Sequence, residues 1–334
     1  MTETSVVAPA PSGPAARRRA LRRVAGYGGA LAMTPYLLIK VSWVVGGLLG
    51  VLSFGPELGR TGWVVLNAVT IAMSAAGIAV ALALAGNERR RAQEAALLIL
   101  SWIGVGFLVP MLPYLVASTL LGGAGPSGGQ GGDDAAAAMP GWEAVLIQVS
   151  FAGLALGLAV ALPLFLLERR SAFLTGRLAD TEASSAAAPN RRLALSTLTV
   201  LAASVLSLLG LYWAAGGRAG LDHPGARDLN WHLLHANTAC WALLGAVAAW
   251  MLGRARPASL PRWIPVAIAW AVSGFLVAWN CWKLPLIGYL AIAGTPAGQT
   301  WPENPGAAAA QCLLGVLAGS ALLATLLHAR PSPR

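Results

Sequence analysis

Apolar residues run along this chain in eight long blocks parted by short polar segments. The blocks cover roughly 25–51, 62–86, 94–122, 141–167, 193–216, 231–253, 263–289 and 307–328. A helix needs about 20 residues to cross about 30 Å of hydrocarbon, and every block is long enough. The pattern predicts an all-α fold, a polytopic transmembrane bundle of eight spans. It divides the chain into a basic, disordered N-terminal tail (1–24), a first four-helix membrane block (25–167), a linker (168–192), a second four-helix block (193–328) and a tail (329–334). The sixth block is the weakest because His232 and His235 open it. Without it, however, the two blocks that follow would reverse direction and the charges would disagree.

Those charges give an independent test. With the N-terminus inside, the inner segments hold Arg17, Arg18, Arg19, Arg22, Arg23, Arg89, Arg90, Arg91, Arg169, Arg170, Arg177, Arg191, Arg192, Arg254, Arg256, Arg262, Arg330 and Arg334. The outer segments hold Arg60, Arg218 and Arg227. This asymmetry is the positive-inside bias, and it predicts that both termini are cytoplasmic. The abundance of Ala, Gly, Arg and Pro with only two lysines points to a GC-rich bacterial genome, so the expected location is a bacterial plasma membrane. A net charge of +10 would point to nucleic acid in a soluble protein, but here its distribution serves orientation and no nucleic-acid partner is expected. With 57% hydrophobic and only 11% charged residues in 334, the chain has room for spans but not for a large soluble domain as well. Cys240, Cys281 and Cys312 all fall in apolar blocks without CxxC spacing, so they read as small buried residues rather than a disulfide framework.

The two halves echo one another. Trp63, Leu66, Thr70 and Gly77 recur as Trp231, Leu234, Thr238 and Gly245 at an offset of 168, and Trp102, Gly106, Phe107, Leu108 and Val109 recur as Trp270, Gly274, Phe275, Leu276 and Val277. Trp43-Val44-Val45-Gly46-Gly47 matches Trp213-Ala214-Ala215-Gly216-Gly217 at 170, and Gln148 matches Gln311 at a changed offset. Four spans per half preserve direction, so the expected arrangement is a parallel 4+4 repeat rather than an inverted one. The glycine pairs Gly46–Gly50 and Gly153–Gly157 have the spacing that permits close helix packing. Pro35, Pro110, Pro113 and Pro285 are the expected sites of helix distortion.

Polar side chains inside the blocks gather toward the outer half of the membrane. The candidate polar pocket comprises Lys40, Asn67, Glu143, Gln148, His232, His235, Asn280, Lys283 and Gln311. Lys40 and Lys283 are the only lysines. A charge at such depth is usually paired, snorkelled or placed in a wet cavity. Trp43 and Trp279 lie three and four residues from them, within cation–π reach, and Glu143 is the counter-ion nearest in depth to Lys40. His232 and His235 share a helical face, but two histidines fall short of a zinc site, so no metal is expected. Asp133 and Asp134 sit in a glycine-rich outer loop without a calcium-loop pattern and read as solvent-exposed.

No HExxH, GxSxG, GxxxxGK[ST] or GxGxxG motif stands in a supporting context, and no cofactor is expected. The leading expectation is a small-solute or lipid transporter of permease type with an outer-half polar pocket. A lipid-modifying or sensing protein and a structural subunit are the alternatives. The expected partners are membrane lipids, with a small solute or another membrane protein. The basic N-terminus, Pro35-Tyr36-Leu37-Leu38-Ile39-Lys40 followed by Trp43, Val44, Gly46 and Gly47, and the Ala/Gly-rich spans resemble the uncharacterised multi-pass membrane proteins common in actinobacteria. That resemblance implies a membrane location and carries no activity.

Overall fold

The computed structural model describes residues 13–50, 59–86, 91–122, 141–180, 188–293 and 300–329. Asp133, Asp134, Arg330 and Arg334 lie outside the described residues. The fold is all-α, and eight helical segments are long and apolar enough to cross a membrane. They are α1 (Pro14–Leu48), α2 (Gly59–Ala85), the pair α3 (Arg91–Leu108) and α4 (Met111–Leu120), α5 (Gly141–Arg169), α6 (Ala188–Ala214), α7 (Leu229–Arg254), α8 (Trp263–Ala293) and α9 (Pro305–His328).

Local chemistry sets several boundaries. Pro14 and Pro305 stand at the first turns of α1 and α9, where a missing N–H is harmless. Asp228 caps α7 by accepting from the Trp231 N–H at 2.7 Å, and Asn304 caps α9 by accepting from Gly306 and Ala307. The start of α1 at Pro14 moves an expected boundary: Arg17 to Arg23 lie on the helix rather than in a disordered tail. Gly50 lies past the end of α1 with φ +74°, so it turns the chain and does not pair with Gly46 on a helix face. Among the four prolines expected to distort helices, only Pro110 marks a break, between α3 and α4. Pro35 and Pro285 lie inside continuous helices, as does Pro163.

Contacts between helix ends show that successive spans alternate in direction. At one end, here called the basic end, Arg22 of α1 donates to the Leu84 and Gly86 carbonyls after α2 and pairs with Glu168 of α5 at 3.3 Å. At the same end Glu94 of α3 pairs with Arg170, and Arg262 before α8 donates to the Ala329 carbonyl after α9. The first part of the linker, residues 171–180, docks here as well. Leu178 is fully buried, and main-chain hydrogen bonds tie Leu178 to Leu260 and Arg262 to Gly176.

Two apolar cores run along the bundle. One is built from α1, α2, α3 and α5 around Met33, Leu84, Leu154 and Leu158, and the other from α6 to α9 around Leu206, Leu252, Leu276 and Leu322. Leu166 and Trp270 touch both. Within each core, glycine lets helices approach. A Cβ on Gly26 would strike Ala81 and Ala85 of α2; one on Gly153 or Gly157 would strike α1; one on Gly253 would strike Ser196 of α6. The cysteines correct an expectation: Cys312 is buried, but Cys240 and Cys281 lie on the outside of the bundle. A weakly polar thiol facing hydrocarbon needs no burial in protein.

The cores join where α3 crosses α8. A Cβ placed on Gly106 would fall on the Gly274 backbone, and one on Gly274 would lie 2.6 Å from the Trp102 carbonyl oxygen. Beside the crossing, the Trp102 indole donates to Ser273 Oγ at 3.0 Å. Overfilling such a contact costs about 1–3 kcal/mol. Gly106→Ala should therefore lower the thermal midpoint in detergent by several degrees, whereas Gly28→Ala, with nothing near its Cβ, should not. Equal midpoints for the two variants would show that the crossing does not hold the cores together.

Candidate functional site

At the end opposite the basic one, the polar side chains collect into two groups rather than one. The first lies among α1, α2 and α5. Lys40 Nζ donates to Asn67 Oδ1 at 3.2 Å and sits 3.9 Å from the centroid of the Trp43 ring, with Tyr36 at 5.7 Å. Asn67 is buried and turns its amide nitrogen back to the Trp63 carbonyl at 2.9 Å. Glu143, also buried, acts on Lys40 through space. Trp43 thus lies where a cation–π partner for Lys40 was expected, whereas Glu143 makes no direct ion pair with it among the described residues.

The second group lies among α6, α7, α8 and α9. His235 Nε2 lies 3.3 Å from Glu303 Oε1, and the same oxygen accepts from the Trp231 indole at 2.6 Å. The imidazole is walled by Trp213 and Trp231, with ring centroids at 4.9 and 4.2 Å. Its Nδ1 is buried without a partner among the described residues. With Nε2 protonated toward the carboxylate, a neutral ring therefore presents an unused acceptor. Lys283, half-buried on α8 with its ammonium 6.0 Å from the Trp279 ring, acts through space on both His235 and Cys312.

A small cap holds Glu303 in position. Asp222 and His223 donate their N–H groups to the Pro302 carbonyl, and Asn304 donates its main-chain N–H to Gly220 and its amide to Asp222. His223 Nδ1 meets the Trp301 carbonyl at 3.1 Å, which gives Trp301 a role in the cap. Arg227 reaches the Gly217 and Pro224 carbonyls and lies over Trp231. The loop after α6 and the strap before α9 are thereby zipped together over the α7 end.

His232 borders the second group: its ring packs edge-on against Trp231 with centroids 5.2 Å apart and it acts through space on His235, while its Nδ1 donates to the Ala214 carbonyl at 3.2 Å. The remaining candidates join neither group. Asn280 donates to Leu276 in its own helix and packs where Gly315 of α9 passes. Gln148 and Gln311 are half-buried and form no hydrogen bond among the described residues. Glu303 is the functional residue that sequence reasoning missed. Its signal was a carboxylate placed just before an apolar block, in Trp301-Pro302-Glu303-Asn304-Pro305, where turn-formers dominate.

Both groups contain positions that the sequence offsets pair. The offset of 168 carries Asn67 onto His235 and Trp63 onto Trp231. The offset of 170 carries Trp43 onto Trp213, each of which packs against its polar neighbour. Chemically, the second group can hold and exchange a proton and can meet a polar solute with charges of both signs. Among the described residues, no three His, Cys, Asp or Glu side chains are grouped so that they could hold a metal ion. The chain matches no family model, no curated protein and no solved structure.

Burial pushes the Glu303 carboxyl up, but hydrogen bonds from His235 and Trp231 outweigh it and hold its pKa below the ordinary carboxylate value. A depressed folded-state pKa stabilises above the unfolded value and loses that contribution as pH falls through the folded one. The cap should accordingly keep the Glu303 contribution from neutral pH down to the usual carboxylate range and lose it below. Melting curves across pH 3 to 7 (roughly the window in which carboxylates titrate) should show an acid limb that Glu303→Gln flattens. An unchanged limb would mean that the carboxylate does not hold the cap.

Proposed function

We propose that this chain is a permease-type protein of a bacterial plasma membrane, both termini cytoplasmic, that admits small polar solutes at an extracytoplasmic site. The observation that carries the reading is the pairing of His235 with Glu303 beneath Trp213 and Trp231 at one end of a four-span block, with Lys283 of α8 acting on it through space. Ionisable groups within membrane segments are costly and commonly mark solute or proton sites. The arginine asymmetry supports putting the basic end in the cytoplasm, which makes the cap extracytoplasmic. The α3–α8 crossing leaves no route along the line between the cores, so the route belongs to a four-span block.

The same reading takes the chain as two parallel four-span repeats. Pairs of contacts at matching offsets support it. Gly26 meets Ala85 where Ser196 meets Gly253, and Gly77 meets Leu154 where Gly245 meets Leu322. The second pair favours an offset of 168 in the last span too, which aligns Glu143 with Gln311 in place of the expected Gln148–Gln311 match. Under the repeat, Trp102 donating to Ser273 has a mirror: Trp270 toward position 105. That position is Val105, and the Trp270 indole is buried without a partner among the described residues. Val105→Thr should supply the acceptor and raise stability by about 1 kcal/mol. A melting midpoint that falls as it does for Val105→Ala would count against the repeat.

A sensing role is the second reading, favoured by the way Glu303 ties the cap to α7 through a titratable histidine. Proteoliposomes separate the two. A permease should take up one of a panel of small zwitterions or carboxylates down a gradient, and His235→Gln should cut that uptake about tenfold or more while the protein melts normally. Lys40→Met should spare most of it if the second group is the solute site. Uptake absent throughout, with His235→Gln altering only the pH dependence of melting, would sink the permease reading in favour of the sensor.

A further inference from the structure

Two clefts at the basic end belong to neither function. One, of about 550 Å³, is lined by Arg18, Arg22, Arg169 and Glu168 among others; the second, of about 630 Å³, by Asn190, Arg192, Trp250, Gly253, Arg254 and Arg256. They stand at matching places, since the offset of 170 carries Arg22 onto Arg192 and that of 168 carries Gly86 onto Arg254. Their charge balance differs. In the first, Glu168 pairs with Arg22 at 3.3 Å; the second has three guanidinium groups and no acid among the described residues of its lining.

The second cleft is also built, rather than a scatter of surface arginines. Ser196 Oγ donates to the Ala249 carbonyl at 2.8 Å, and Gly253 lets the two helices touch at that level. This pins the start of α6 against the end of α7. Arg192 lies one turn before Ser196, and Arg254 lies over the Trp250 ring at 5.9 Å, so the two charges are presented to one space. Trp250 and Leu193 are both about two-fifths exposed on the flank of the bundle, so the cleft opens toward hydrocarbon as well as water. Tryptophan at a span end is the usual marker of the headgroup level. A phosphate needs several donors and a positive field; arginines supply both, and an acyl chain leaving such a site would meet apolar surface at once.

We propose that this cleft binds the phosphate headgroup of an anionic lipid, with Arg254 and Arg256 on the phosphate and Trp250 at the glycerol level. The proposal is independent of solute transport at the other end. Its test is a titration of the full chain in phosphatidylcholine nanodiscs with phosphatidylglycerol, read by native mass spectrometry as retained lipid. Each arginine near a membrane surface contributes enough that removing two should weaken retention about thirtyfold. Arg254→Gln combined with Arg256→Gln should therefore reduce phosphatidylglycerol retention toward that of phosphatidylcholine, while Arg218→Gln at the opposite end should leave it unchanged. Inorganic phosphate should fail to displace the lipid. Displacement by millimolar phosphate, with binding lost in the double variant, would uphold the phosphate chemistry of the cleft and make the source a soluble anion. Equal phosphatidylglycerol retention by the double variant and the parent would overturn the site, as would no preference for it in a parent protein that melts normally.

Discussion

Helices in a bilayer gain no hydrophobic energy by leaving lipid for one another, so they associate where backbones can come into close contact. In this chain the contact on which the arrangement depends is Gly106 of α3 against Gly274 of α8. Each four-span core is laced internally by glycine and alanine crossings, and this crossing is where the two cores bring backbone against backbone. Trp102 donating to Ser273, and Trp270 reaching into both cores, extend the same seam. A seam made by removing side chains is strong only while nothing intervenes.

The break at Pro110 shows how an irregular backbone is tolerated at such depth. The Pro110 carbonyl accepts from Asn237 at 3.0 Å and from the Trp241 indole at 3.1 Å, both on α7. A carbonyl released in hydrocarbon would cost several kcal/mol if unpaired, so break and donors have to occur together. At the offset of 168, those donors correspond to Val69 and Met73, and Pro110 corresponds to Ala278 in an unbroken helix. Irregularity and polar donors thus occur on the same pair of helices. Tyr114 Oη donating to Asn230 Oδ1 at 3.3 Å adds a second tie between α4 and α7, near the base of the His235 group.

Spans, their number and their alternation were legible because length and apolarity in a bilayer leave the chain few choices. The approximate depths of Lys40, Asn67, Glu143, His235 and Lys283 followed from direction alone. Partners were less legible. Lys40 with Trp43 could be read because both lie on one helix, three residues apart, whereas the pairing of His235 with Glu303 joins residues 68 positions apart through a loop. Composition describes that loop as turn-formers and says nothing of what it covers. The division of one expected pocket into two groups was illegible for the same reason: depth places side chains at a level, but rotation about each helix decides which neighbour they meet. Pro35 and Pro285 illustrate a further limit, since proline permits a break without requiring one.

The two polar groups differ in how they meet the energetics of burial. In the first, the lysine is compensated by an amide, an aromatic face and a carboxylate at a distance; in the second, the imidazole has a carboxylate in direct contact and a lysine nearby. A group serving only to fasten helices would be expected to satisfy every buried atom, because an unpaired polar atom subtracts from the fastening. The first group approaches that condition. The second does not, because among the described residues His235 Nδ1 has no partner under two tryptophans while Nε2 faces Glu303. Asn67 thus spends both ends of its amide on its neighbours, whereas His235 keeps one buried ring nitrogen unused.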